Sequence, residues 1–170
     1  MKEASYLAIL VVAHLDRFAN ACLDVAFNNG TEEGRPAGAN GCWAPTVRPP
    51  TFDPLALNVN WKALPLDLMY DILGMPYRIE HLQRDLSQIH KSDGPPDYSE
   101  YFWTRQSGYV VLGLEFSELG KRLREHAGLP PHPDNPGTWN RDDQLRQIRD
   151  KIKTERTAWL ARVAGQTAVL

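Results

Sequence analysis

The sequence is poor in the residues that staple or anchor a fold. It holds two cysteines, Cys22 and Cys42, among 170 residues. They could make at most one bridge, which speaks against a disulfide framework and points to a reducing compartment, the cytoplasm. The five histidines, His14, His81, His90, His126 and His132, are scattered. No Cys/His set has zinc-ligand spacing, and the chain lacks any Glu-x-x-His pair of the kind that holds two irons in a helical bundle. No metal and no cofactor is therefore expected. Charge of one sign is also missing: 19 Lys and Arg stand against 21 Asp and Glu, a net charge of −2. Nothing here attracts a polyanion, so neither nucleic acid nor an acidic membrane is an expected partner. Long apolar runs are absent as well. Tyr6 to Ala13 is far short of the ~20 residues that span a bilayer, and Asp16-Arg17 interrupts any signal-peptide reading. Membrane association is expected only if the native chain continues upstream of residue 1. Phosphate-binding glycine loops, a nucleophile elbow and calcium loops are missing too, so no catalytic residues are assigned.

Helical periodicity is what the sequence does contain. Leu7, Val11, His14, Phe18, Cys22 and Val25 recur at three- and four-residue steps, which predicts a first helix over Glu3–Phe27, ended by Asn28-Asn29-Gly30. Residues 30–60 change abruptly to Gly, Pro, Asn and Thr. A connection this long can return the chain along a bundle and make the first two helices parallel neighbours. The second helix is expected to kink or break at Gly74-Pro76, because proline removes an amide donor and crowds the preceding turn. A third helix starts near Asp97 as its N-cap. Its seam is Phe102, Arg105, Tyr109, Leu112, Phe116, Leu119 and Leu123. The fourth runs over Asn140–Ala164, with Leu145, Ile148, Ile152, Trp159 and Val163 on one face. The expected fold is one all-α domain over residues 1–170, a four-helix, up-down bundle with one long crossover.

Candidate sites follow from residues that break this pattern. His14 and Arg105 are polar positions on apolar seams, and with Tyr109 they are the candidates for a polar ligand pocket. A buried guanidinium must be compensated, so Arg105 is expected either to contact a carboxylate or to reach the bundle end and water. Gly113 and Gly120, seven residues apart beside the seam, predict a closely packed neighbouring backbone, since glycine costs roughly 1 kcal/mol against alanine within a helix. Glu115 and Glu118 point away from the Tyr109 seam and read as a solvated pair. Asp16, Arg17, Asn20 and Asp24 read as outward-facing, and Cys22 as a small core filler.

Ile9 and Val12 lie opposite the first seam, and Trp103, Val110, Val111 and Leu114 crowd the back of the third helix. A helix apolar on two sides needs two partners, so these six are candidates for an interface with a second copy or another protein chain. The stretch "LPLDLMYDILGMP", Leu64 to Pro76, resembles the opening of an F-box motif, which implies a small helical adaptor surface. The match covers that segment alone; the second proline comes one residue early and no Val-Cys-x-x-Trp-like continuation follows. The expected function is an interaction, scaffold or oligomerisation module. The alternative is a ligand-binding, even enzymatic, bundle around His14, Arg105 and Tyr109.

Overall fold

The computed structural model describes residues 2–133 and 139–169. The fold is an all-α bundle in which the second helix is broken in two. α1 spans Lys2–Phe27 and buries Leu7, Val11, Leu15, Phe18, Cys22 and Val25 along one face. Its apolar composition and length would suit a membrane span, yet half of the most apolar window is buried inside the bundle.

The chain then turns at Gly30, whose φ of +90° suits glycine and whose carbonyl accepts from Ala37 and Ala44 N–H. A Cβ there would lie 2.5 Å from Phe102 Cζ, so glycine is required by space as well. A two-residue hairpin, β1 (Thr31–Glu32) and β2 (Arg35–Pro36), follows, and then an irregular run with three single-turn helices.

α2 (Leu66–Leu73) and α3 (Met75–Ser92) meet at Gly74, with Pro76 in the first turn of α3, where its missing N–H costs nothing. α4 (Ser99–Ala127) is the central helix. It runs antiparallel to α3, where Leu82 meets Gly108 and Arg78 meets Glu115, and antiparallel to α1, where Phe18 stacks on Phe116 at 3.9 Å. α5 (Arg141–Thr167) is antiparallel to α4 on a further side. Leu145 reaches Gly113, and Arg156 pairs with Glu100. Asn140 caps α5 by accepting from Asp143 N–H at 3.1 Å.

Two sequence expectations are corrected here. α4 does not take Asp97 as its N-cap: Tyr98 stands there in a left-handed conformation, and the Asp93 carboxylate accepts the Tyr101 N–H at 2.9 Å. Asp97 accepts from the Ser99 hydroxyl instead. Nor do the first two long helices pack as neighbours, although α1 and α3 run parallel. The buried face of α1 is spent on α4 and α5, and the crossover fills the remaining space with Val47, Phe52, Leu57, Val59 and Trp61. Phe52 sits edge-on between Phe18 and Phe116, at 6.2 and 5.0 Å. The crossover is thus part of the core, which explains how a glycine- and proline-rich segment of this length is held.

Candidate functional site

The three candidates for a polar pocket do not share a cavity. His14 is half-buried at the rim of a shallow depression formed with Arg17, Phe52 and Asp53. Arg105 lies fully inside, its Nη1 donating to Asn28 Oδ1 at 3.0 Å and its Nη2 to the Val47 carbonyl at 2.6 Å. Fourteen residues of α1 separate His14 from Asn28, roughly 20 Å along a helix. Tyr109 is buried one turn from Arg105; its hydroxyl faces Gln83 without completing a hydrogen bond, and burial raises its pKa.

The expectation that Arg105 meets a carboxylate or water is therefore overturned. Burial lowers the guanidinium's pKa, and the charge is held by an amide oxygen and a carbonyl. The reason is positional. Asn28 also accepts from Thr46 N–H and donates to the Thr46 hydroxyl, so helix end, crossover and α4 are tied at one point.

The back face of α4 is largely covered. Val110 is fully buried and Leu114 partly so, against Leu23, Ala26, Leu145 and Ile148 of α1 and α5. Val12 is also buried, and Trp103 packs edge-on to Trp159 at 5.7 Å. Of the six interface candidates, Ile9 and Val111 keep an exposed side, at 59% and 44%. The sequence left the back of α4 without a partner, whereas in the structure α1, α3 and α5 all pack against this helix. The glycines differ as well. A Cβ on Gly113 would come within 3.0 Å of both Cys22 Cβ and Leu145 Cδ1, while one on Gly120 would meet ordinary contacts at 3.5 Å. The second close approach on α4 is at Gly108, where a Cβ would lie 2.4 Å from Leu82 Cδ1 and which the seam pattern did not single out.

Cys22 is fully buried, and burial pushes its thiol far above the usual range, only partly offset by Arg141, so it is an inert filler. Among the described residues no group of three or more His, Cys, Asp or Glu side chains is placed to hold a metal ion.

The most developed surface lies where α2 and α3 meet the C-terminal half of α4. Their junction leaves a groove of about 800 Å³ whose walls include Met69, Tyr70, Met75, Tyr77, Arg78 and Glu115. Leu66, Tyr70 and Tyr77 stand out of it, exposed by 75, 76 and 69%. α2 and α3 each bury one face, through Leu68 and Ile72 and through Met75 and Ile79, and their exposed Leu66, Tyr70 and Tyr77 flank the groove. Two ion pairs cross it, Arg78 to Glu115 at 2.6 Å and Arg122 to Asp71 at 2.7 Å.

Three buried side-chain polar atoms lack a hydrogen-bond partner among the described residues: Trp61 Nε1, Tyr109 Oη and Glu115 Oε2. Of the three residues, Glu115 is the one lining this groove. The reading of Glu115 and Glu118 as a solvated pair holds for Glu118, which is exposed, and fails for Glu115, whose side chain is 29% exposed and tied to Arg78. Burial raises the Glu115 carboxyl above its ordinary 4.5, with Arg78 pulling back through charge and hydrogen bond.

A raised carboxylate pKa means that the folded state holds this proton more tightly than the unfolded chain does. The group therefore favours folding most at low pH and loses that contribution as pH rises through and above 4.5. Glu115→Gln should remove this slope. Urea midpoints compared from about pH 4 to 7 should move in favour of the variant as pH rises. The opposite drift would mean that the Arg78 pair outweighs desolvation.

No family model, curated protein or solved structure matches this chain.

Proposed function

We propose that this chain is an interaction module that docks a segment of another protein in the groove between α2, α3 and α4. The observation that carries the reading is Glu115 Oε2, a buried acceptor without a donor, on a groove edged by exposed Leu66, Tyr70 and Tyr77, with Met69 and Met75 in its walls. Leaving such an atom unmet costs about 1–3 kcal/mol, which a donor from a partner recovers. Tyrosine, methionine and arginine are also the residues that enrich interface cores, and methionine adapts to irregular apolar surfaces.

The occupant is an apolar segment bearing a cationic or N–H donor. The groove is lined by three carboxylates, Asp71, Glu115 and Glu118, against two guanidinium groups, Arg78 and Arg122. A separate polypeptide suits this better than a second copy, because the back face of α4 that would have driven self-association is already packed against α5.

A photoreactive amino acid placed at Tyr77, in the full chain inside its native cells, tests this. The expected result is a discrete adduct with one other protein, lost when Tyr70→Glu is added and absent when the probe sits at Ile9. Adducts equal at Ile9 and Tyr77 would overturn the reading, as would adducts with the chain itself.

A further inference from the structure

A second cavity, separate from the groove, lies at the other end of α4, between the end of α1, the N-terminal half of α4 and the N-terminal half of α5. Its volume is about 380 Å³, inside the ~300–1,000 Å³ range of small-molecule sites. Its walls pair flat rings with amides. Trp43, Phe102 and Trp103 line it. Trp43 and Phe102 are 6.5 Å apart and tilted, and Trp103 is held edge-on by Trp159. Opposite them, Gln144 and Gln147 of α5 face the same space. Their side-chain amides make no hydrogen bond among the described residues, and neither do the indole N–H groups of Trp43 and Trp103. Gln106 at the cavity wall is already oriented, its Nε2 donating to the Ala26 carbonyl at 2.7 Å.

We propose that this cavity is a binding site for a flat, uncharged heteroaromatic ring with alternating donors and acceptors on its edge, a nucleobase or nucleoside. Aromatic walls stack on the face of any such ring, a contact worth about 1–3 kcal/mol per base. An amide offers both a donor and an acceptor, the pattern that reads a base edge. Charge is not selected for. Lys151 lies on the rim with Glu155, 3.9 Å away and opposite in sign, so the opening has no net field to hold a phosphate.

Adenosine and uridine titrated into the ¹⁵N-labelled full chain test this through the tryptophan side-chain N–H resonances. Saturable shifts are expected for Trp43 and Trp103, with those of Trp61 and Trp139 unmoved. Gln144→Leu and Gln147→Leu alter groups without intramolecular partners. Each should keep the melting temperature and weaken nucleoside binding by tenfold or more, while leaving the weak binding of toluene, a flat ring with no hydrogen-bonding edge, unaffected. Absence of Trp43 and Trp103 shifts with both nucleosides at millimolar concentration would overturn the proposal. So would toluene binding as tightly as the nucleosides, unchanged nucleoside affinity in both glutamine variants, or adenosine monophosphate binding at least as tightly as adenosine.

Discussion

Asp16→Ala is expected to lower stability by about 3 kcal/mol, more than any other single surface-accessible carboxylate in the chain. Asp16 lies midway along α1, and its carboxylate is the acceptor for Arg124 of α4, with Arg141 of α5 at 3.9 Å. The Arg141 guanidinium also reaches Asn20 Oδ1 at 3.0 Å and the Ser117 hydroxyl at 3.1 Å, so three helices converge on one pair of arginines. The side chains of Asp16, Arg124 and Arg141 are 18, 13 and 4% exposed. Removing this carboxylate takes away the anion that Arg124 meets and leaves that shielded cation facing Arg141, which keeps Asp142 at 3.2 Å. Breaking a buried pair in this way costs about 3–5 kcal/mol, and the lower end applies because Asp16 keeps some contact with water. Asp16→Asn, which retains an acceptor oxygen, should lose less. Urea unfolding at constant m-value measures both. A loss below about 1 kcal/mol for Asp16→Ala would mean that the network is an ordinary surface ion pair.

Asn28→Ala should cost about 3 kcal/mol, and Arg105→Met distinctly less, although Arg105 is the larger and more buried of the two. The asymmetry follows from what each change leaves behind. Without Asn28 the guanidinium stays in the core with the Val47 carbonyl as its remaining acceptor, and Thr46 loses two bonds. Without the guanidinium the desolvated charge disappears together with its bonds. Asn28 keeps Thr46, a methionine fills much of the volume, and the Val47 carbonyl alone goes unmet, a penalty of about 1–3 kcal/mol offset by the charge removed. The double variant should therefore be more stable than the sum of the single losses. Equal losses for the two single variants, or additivity, would contradict this account of the buried charge.

The helices were legible because their signal is local. Apolar steps of three and four residues, the Gly74-Pro76 break and a last helix beginning near Asn140 are properties of neighbouring residues, and each appears in the structure. What escaped the sequence depends on contacts between distant residues. Arg105 meets Val47 across 58 positions, and Asp16 meets Arg124 across 108. A helical wheel placed Asp16 outside because it measures one helix against a core, not against arginines reaching in from two others.

The same limit explains the back face of α4. Val110 and Leu114 looked unpartnered because periodicity does not say which helices flank α4, and Leu145 and Ile148 of α5, with Leu23 and Ala26 of α1, are what cover them. Phe52 could not be found by periodicity, since it stands in an irregular segment and is buried through the two helices it wedges between. The groove was half-visible. The helix break was plain, but the outward placement of Tyr70 and Tyr77 depends on how α2 and α3 pack on α4, which no pattern of residues states.

Hydrogen exchange of the full chain, alone and with the protein crosslinked through Tyr77, tests the docking groove most directly. Added protection should concentrate in residues 66–78 and 115–122, the two sides of the groove. Protection confined to the exposed face of α1 around Ile9, or to residues 153–169 of α5, with residues 66–78 unchanged, would contradict it.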